Sequence, residues 1–510
     1  MIATPAAYAP FPQVRRVRFS AEFRLIDLHA AENAIISYTE QAAVSRADQT
    51  LGNIKTPSGR FASLEPNLWL LDGSLRCVDD ADENESVGWW SYWLSQEDRT
   101  FLLTAQPTVT YALSAPASSI GFTLFFDADS GAPPAEVVTT VYAGNTVLAT
   151  QTDACGKSML MVELPVENYD SVTFTFTNST MPRRHVRLLG VVFGIVKVYT
   201  QDNLAKASIT YGADPIAETF PSRQLKMTID NSQKEYNMRN PNSIYAYLQD
   251  GQLIEAEMII GGVSVDLGKF HFTKATAKDS GLTAELQAND RAYTLDGALY
   301  VPGSHANEVM TISKAVSYVL GSRDVTVSYG DGIGERTVRL SPPEESSIRE
   351  VLRLLAQAAR CAVWFERGGV LRFAELPVAE TAVQEYTGNE LYSMDAITVR
   401  DKVDKVTVNI ARKKIDSGEE LYSYGSGDNE IKVSNPCVAP ANGDAVAKWI
   451  FDYHARRLGY RFKNRGDPAV EIGDTVAVAD TFGEPGLAVV TSVDMEYSGG
   501  LCIKTGGVGP

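Results

Sequence analysis

The chain has 510 residues, 44% hydrophobic and 21% charged, an ordinary balance for a folded soluble protein that argues against disorder. Its formal net charge of -17, from 46 basic and 63 acidic residues, makes a nucleic-acid-binding surface a poor expectation. Five widely spaced cysteines (Cys77, Cys155, Cys361, Cys437, Cys502) exclude a CxxC metal or redox pair and argue against a disulfide scaffold.

The length predicts about three to five domains. The N-terminus has no charged region followed by a continuous apolar core, so no secretion signal is expected. The most apolar run, 188–196, is far short of the roughly 20 residues a membrane span needs, so no membrane anchor is expected either. A soluble protein made in a cytoplasm is the resulting expectation.

Along the chain, residues 1–45 read as N-terminal strands, with alternation in Val17-Arg-Phe-Ser-Ala-Glu-Phe-Arg-Leu. Residues 46–200 read as a β-sandwich of the jelly-roll kind. Segments such as Thr108-Val-Thr-Tyr-Ala-Leu, Ile120-Gly-Phe-Thr-Leu-Phe-Phe and Ser171-Val-Thr-Phe-Thr-Phe are short strands separated by Gly, Pro, Asn and Asp, with no helical periodicity between them. Residues 201–300 read as an antiparallel β-barrel. In 301–377 the apolar period changes to 3.6: Val309, Ile312, Val316 and Val319 share a helical face that Gly321 ends. Ser347 and Glu350 have capping-box spacing before Val351, Leu352 and Leu355, and a hairpin turning at Gly368-Gly369 closes this small α/β unit. Residues 378–510 return to strands around one helix carrying Val446, Trp449, Ile450, Tyr453 and Leu458, a second β-barrel. The fold class is therefore mainly β.

The closing half of the first barrel is echoed in the second. Gly251-Gln-Leu-Ile-Glu-Ala-Glu, Gly268-Lys-Phe and Asp279-Ser-Gly-Leu-Thr-Ala-Glu-Leu are matched in order by Gly473-Asp-Thr-Val-Ala-Val-Ala, Phe482-Gly-Glu and Tyr497-Ser-Gly-Gly-Leu-Cys-Ile-Lys. The phrases Asp214-Pro-Ile-Ala-Glu-Thr-Phe-Pro-Ser-Arg, Met227-Thr-Ile-Asp-Asn-Ser, Tyr247-Leu-Gln-Asp-Gly-Gln and Gly466-Asp-Pro-Ala-Val-Glu-Ile-Gly-Asp-Thr-Val resemble the hub (tail-tip or baseplate) proteins of tailed phages and related injection machines. This resemblance covers about residue 205 to the C-terminus. In the sandwich, Leu64-Glu-Pro-Asn-Leu-Trp-Leu-Leu-Asp-Gly-Ser, Gly88-Trp-Trp-Ser and Pro182-Arg-Arg-His-Val-Arg-Leu are similar to galactose-binding-like (discoidin-type) domains.

The resemblance implies a homotrimer whose two barrels per chain make six similar units, matching a sixfold tail tube on one face and a threefold spike or tip on the other. It also implies partners among other tail proteins (tail tube or distal tail ring, spike or tip, baseplate), possible cell-surface carbohydrate, and DNA only in transit, which an acidic surface would not retain. The implied location is the virion, after synthesis in the bacterial host cytoplasm. Exposed strand edges of the first barrel are expected to pair with a neighbouring subunit.

For sites, Trp89, Trp90, Tyr92 and Trp93 could stack on a sugar ring, with Arg183, Arg184 and His185 hydrogen-bonding its hydroxyls, although solvated loop charges are the simpler reading of those three. Strand alternation would put Trp89 and Trp93 on one face and Trp90 and Tyr92 on the other, so at least one pair should pack in a core. Asp127 and Asp129 with Gly131 have DxDxG spacing, yet the EF-hand pattern is incomplete and an acidic turn is the simpler reading; no metal is expected. The run Asp79-Asp-Ala-Asp-Glu-Asn-Glu reads as a solvated loop. HExxH, GxSxG and GxxxxGK[ST] are absent, the five histidines are scattered, and no cofactor is expected. A non-enzymatic virion protein is the first reading. A host-surface glycan-binding tail protein is the alternative, and a cell-wall glycoside hydrolase with a carbohydrate module is the third, since carboxylate pairing is spatial and nothing marks a pair out.

Overall fold

The computed structural model describes residues 17–32, 34–51, 60–66, 68, 75–76, 87–127, 132–260, 263–376, 381–386, 390–412, 418–465, 468–479 and 485–509. The chain is mainly β, with several antiparallel sheets and three α-helices of nine or more residues among the described residues. It divides into two compact units, one of 23–197 with 237–252, the other of 1–22, 198–236 and 253–510. Among the described residues, no helix is long and apolar enough to cross a membrane.

After the opening strand β1 (Val17–Ile26), one unit is built on β2 (Ile35–Tyr38), β3 (Trp89–Trp90), β4 (Thr108–Phe126), β5 (Pro134–Ala143), β6 (Thr146–Ala154), β7 (Met159–Ser179) and β8 (Arg187–Val192). They form one sheet in the order β3-β8-β4-β7-β5-β6, with β2 on β4. The strands are longer than the turn residues predict. Pro116 and Pro165 do not end β4 and β7; they fall where the β4–β7 register slips, between Ala112 and Gly121 on β4. A proline removes a ladder donor, so it bends a strand at an irregularity rather than continuing it flat. The bend lets both halves of β4 serve one core: Val109 and Tyr111 from the first, Phe122, Leu124 and Phe126 from the second. Edge-to-face ring contacts tie the halves together, Tyr111 and Phe122 each meeting Phe174 and Phe193 at centroid distances of 5.7–6.3 Å. The hydroxyls buried with these rings are satisfied, Tyr111 donating to Thr50 (2.8 Å) and Tyr169 sharing a hydrogen bond with Ser119 (2.8 Å).

In the other unit, β9 (Leu204–Gly212), β10 (Gln224–Asp230), β11 (Leu253–Ile260), β12 (Val263–Ala277) and β13 (Thr283–Asn289) form an antiparallel module in the order β11-β12-β13-β10-β9. Next come α1 (Ile312–Leu320), β14 (Val327–Tyr329), α2 (Ile348–Ala358) and the hairpin β15 (Ala362–Phe365) and β16 (Leu371–Ala374). The predicted Ser347 cap is formed, its hydroxyl accepting from Glu350 N at 3.2 Å.

Then come β17 (Gln384–Tyr386), β18 (Leu391–Val399), β19 (Lys405–Asn409), β20 (Leu421–Gly425), β21 (Glu430–Ser434) and α3 (Gly443–Ala455). The chain ends with β22 (Leu458–Asn464), β23 (Thr475–Val478), β24 (Gly486–Tyr497) and β25 (Leu501–Gly509). The second module has the order β23-β24-β25-β22-β18, which is the first module's order strand for strand. Alternation explains why each strand sits as it does: Leu225, Met227 and Ile229 of β10 face inward, as do Tyr460, Phe462 and Asn464 of β22.

The two modules are joined into one continuous sheet, because β9 pairs with β24 from Ala207↔Tyr497 to Gly212↔Ser492. Each module also sends the segment between its first and second strands away from its own sheet. In the first, loop 213–223 inserts Ile216, Ala217 and Phe220 into the α/β core. In the second, 400–457 contributes Val406, Val408, Ile410, Val446 and Ile450 to that same core. The segment 405–455, which the periodicity groups with the second barrel, thus shares its apolar face with α1 and α2.

Candidate functional site

The aromatic cluster does not follow strand alternation, because β3 stops at Trp90. Trp89 and Trp90 are both buried, while Tyr92 and Trp93 are 49% and 50% exposed. Trp89 stacks on Phe176 at 6.1 Å inside the core. Trp90 donates through Nε1 to Val87 O (3.3 Å), and the Arg187 guanidinium lies 3.8 Å from its ring centroid. Tyr92 and Trp93 meet edge to face at 4.8 Å beside a cavity of about 330 Å³ that Thr39, Glu40, Thr104 and Pro107 also line.

Arg183 is exposed and ion-paired with Glu97, whereas Arg184 is buried and donates to Pro66 O at 2.5 Å. Asp127 is buried and accepts from Arg187 Nη1 at 3.0 Å; Arg187 also pairs with the fully buried Glu65. A carboxylate committed to a guanidinium in the interior is a structural partner, and leaving either charge alone there would be costly. His185 completes this cluster, its Nδ1 2.7 Å from Ser91 O; burial holds its imidazole below the usual histidine range. Asp129, Gly131 and the acidic run 79–85 lie outside the described residues. Among the described residues, no group of three His, Cys, Asp or Glu side chains could hold a metal ion.

Of the seven sugar-contact candidates the structure therefore brings Tyr92 and Trp93 together at the surface, leaves Arg183 exposed and paired with Glu97, and places Trp89, Trp90, Arg184 and His185 inside, so the last two are not solvated loop charges. Sequence reasoning missed Glu65 and Arg187, whose pairing is a matter of three-dimensional neighbourhood alone.

A second constellation lies where the two modules and the α/β hairpin meet. Arg367, in the β15–β16 turn, donates to Asp266 O of the first module (3.0 Å) and to Pro468 O beside the second (2.6 Å). It is also ion-paired with Glu471. Burial works to lower the Arg367 pKa, but Tyr211 and Glu471 outweigh it and the net shift is upward. Arg223, the last residue of the Asp214-Pro-Ile-Ala-Glu-Thr-Phe-Pro-Ser-Arg phrase, is buried with its guanidinium 3.7 Å from the Tyr211 centroid. Arg223 and Asp290 exchange hydrogen bonds, Arg223 N to Asp290 Oδ2 and Asp290 N to Arg223 O, both 2.8 Å. The phrase is thus explained locally. Asp214 caps the loop by accepting from Ile216 N (3.1 Å) and Thr219 N (2.9 Å). Phe220 stacks on Phe365 at 6.0 Å, and Arg353 and Gln357 of α2 hold the loop carbonyls of Ala217 (2.9 Å) and Ile216 (3.1 Å). A cavity of about 710 Å³ opens at this joint, lined by Asp266, Arg367, Arg372, Glu375, Glu471 and Asp474 among others. Its charges are arranged as ion pairs and carbonyl clamps, the chemistry of a joint.

The duplication extends to fine geometry. Both modules carry a register slip on the fourth strand, between Phe272 and Lys274 on β12 and between Val490 and Ser492 on β24. The skipped residue is threonine in both, and each donates to the carbonyl across the ladder: Thr273 to Gln287 (3.1 Å), Thr491 to Gly506 (3.4 Å). Counting outward from the slip, Phe272, Ala288, Leu225 and Ile209 form one cross-strand row. Val490, Gly507, Tyr460 and Ile397 form the other. Gly251 and Gly473, each just before the third strand, both take left-handed φ, +95° and +89°. Two of the three echoed phrases fall on equivalent positions. The middle one does not: Gly268 lies inside β12, and Phe482 lies between β23 and β24, outside the described residues. The rows show a sequence signal that would have found the match sooner, Ser208-Ile-Thr-Tyr against Ala396-Ile-Thr-Val.

No protein-family model matches the chain, and no curated protein matches it. Solved structures similar to it include the 43 kDa tail protein of prophage MuSo2 from Shewanella oneidensis, with TM-score 0.46, 16% identity, and 62% of this chain and 96% of that one covered. The tail protein from Neisseria meningitidis MC58 gives TM-score 0.45 and 14% identity over 61% of this chain and 93% of that one. A component of the E. coli type VI secretion system, described as structurally similar to T4 bacteriophage tail proteins, gives TM-score 0.37 and 12% identity over 60% and 74%.

Proposed function

We propose that the chain is a structural protein of a phage tail: a homotrimeric hub at the tip or baseplate that joins a sixfold tail tube to a threefold tip. The observation that carries this reading is the duplication. One chain holds two modules of identical strand order fused into a continuous sheet, so three chains supply six similar modules around an axis while keeping threefold symmetry elsewhere. The joint around Arg367 and the shared α/β core fit a part whose task is to hold two modules in fixed relation. Its partners would be the tube or distal tail ring, the spike and other baseplate proteins. The virion is its location after synthesis in the bacterial host cytoplasm, and DNA passes without being retained. No catalytic role is assigned. Single-particle images of virions test it: a threefold ring with six similar lobes at the tail tip is expected, and a tip without threefold density sinks the reading.

A second reading concerns the 46–200 region as a galactose-binding-like domain, and the exposed Tyr92–Trp93 pair favours it. Two aromatic side chains beside a cavity of about 330 Å³, with Glu40 at its wall, suit a single sugar ring. A glycan array probed with the full chain should show retention that Trp93→Ala abolishes. No binding at millimolar sugar retires the carbohydrate role and leaves protein contacts to this domain.

A further inference from the structure

The two modules differ at one edge. In the first, β9 has a strand on each side, β10 and β24. In the second, β18 occupies the equivalent place with β22 on one side, and among the described residues its other edge ends the sheet. The matched rows make the consequence visible. Ile209 and Tyr211 of β9 are 1% and 6% exposed, whereas Ile397 and Val399, their counterparts on β18, are 42% and 62% exposed. Tyr392 on the same strand is also exposed. Apolar β-branched side chains on an open sheet edge are what a chain normally avoids unless another strand covers them.

The strand that covers β9 is the second half of β24, residues 492–497, whose first half pairs with β23. The equivalent stretch of the first module is the second half of β12. Its first half pairs with β11 as far as His271, and beyond the slip one edge of 274–277 has no ladder partner among the described residues. Lys274, Ala275, Thr276 and Ala277 there are small or flexible side chains that leave room for a neighbour bearing isoleucine and valine.

We infer that β18 of one copy pairs antiparallel with the 274–277 edge of a second copy's first module, repeating between chains the β9–β24 joint made within the chain. Transferring the observed register Ile209↔Met495, Thr210↔Asp494 and Tyr211↔Val493 sets Ile397 opposite Ala277, Thr398 opposite Thr276 and Val399 opposite Ala275. The surface offered and the surface accepting differ, so the contact is head-to-tail and must close into a ring or grow into a filament. The inference rests on the hub reading for the size of that ring, three chains and six modules, but not for the contact itself.

The test uses the full chain in two forms. In the first, Thr398→Cys and Thr276→Cys are combined; facing strand residues lie at a separation a disulfide spans. Oxidation of the concentrated protein should give reducible species of two and three chains, absent from wild type and from either single variant. In the second, Ile397→Asp with Val399→Asp should lose the oligomer measured by light scattering while melting as wild type does when diluted to monomer. A trimer that persists in the aspartate variant, with no cross-link in the cysteine pair, overturns the strand pairing and leaves the hub reading standing. A chain that stays monomeric at every concentration and never cross-links overturns both. Cross-linked ladders running past three chains support the contact and overturn the trimeric ring.

Discussion

The first and second modules share strand order, the slipped threonine and the row of facing residues, yet differ in how the first strand is covered and in the segment that comes after it. In the first module β9 lies in mid-sheet and leads into the short loop 213–223; in the second, β18 lies at an edge and leads into 400–457, with three strands and a helix. Both excursions end in the same α/β core. The difference teaches that a duplicated module can keep its hydrogen-bonding plan while its two copies take separate tasks, one sealed inside the chain and one left with an open side.

Four measurements would break or sharpen that comparison. The largest contrast is between equivalent isoleucines. Ile209→Ala removes a buried side chain and should cost about 2–5 kcal/mol, read as a lowered denaturant midpoint. Ile397→Ala, on the exposed edge, should shift the monomer by no more than about 0.5 kcal/mol. Equal losses at both positions would mean that the second module's edge is covered within the chain, and the contrast would fall.

Next is the clamp common to both copies. Arg367→Ala strips the ion-pair partner from Glu471 and frees the carbonyls of Asp266 and Pro468, so a loss of about 3 kcal/mol is expected. Arg367→Lys, which keeps the charge but cannot reach both carbonyls, should recover only part of it. Full recovery by lysine would show that charge alone holds the joint.

The slipped threonines should behave alike. Thr273→Val and Thr491→Val each remove one hydrogen bond to the facing strand, and each should cost about 1 kcal/mol in thermal or chemical unfolding. A cost at one site only would separate copies that geometry equates.

The smallest effect belongs to the second module's excursion. The Glu430 carboxyl is held down at about 2 by its hydrogen bond to Thr407 and by Lys405. A depressed folded pKa gives stability that is present above the unfolded value near 4.5 and is lost as pH falls toward 2. Wild type should therefore lose slightly more stability than Glu430→Gln as the pH is lowered from about 5 to about 2. Parallel pH profiles would remove Glu430 from the account of this segment.

Much of the architecture was legible from local pattern. Leu225, Met227 and Ile229 alternate, so β10 and its inward face follow; Ile312, Val316 and Val319 recur at helical spacing, so α1 follows, although Val309, read onto the same face, is an exposed residue of the short strand before it; Ser347 and Glu350 mark where α2 begins. The echo around Gly251 and Gly473 pointed to the duplication because a left-handed φ before a strand favours glycine in both copies. The site was less legible. Alternation predicts a strand through Trp93, but β3 ends at Trp90, where Ser91's side chain donates to Trp93 O and accepts from Val186 N.

The sequence by itself determined which residues form strands and helices and which face of each is apolar, since these depend on neighbours two to four residues apart. Only the tertiary structure decided what covers each face. Ile209 and Ile397 sit in nearly identical phrases, and one is buried while the other is exposed, because β24 lies beside one strand and not the other. Pairing between β9 and β24, elements from opposite ends of the unit, is chosen by the whole sheet's hydrogen bonding and burial, and no local pattern carries it.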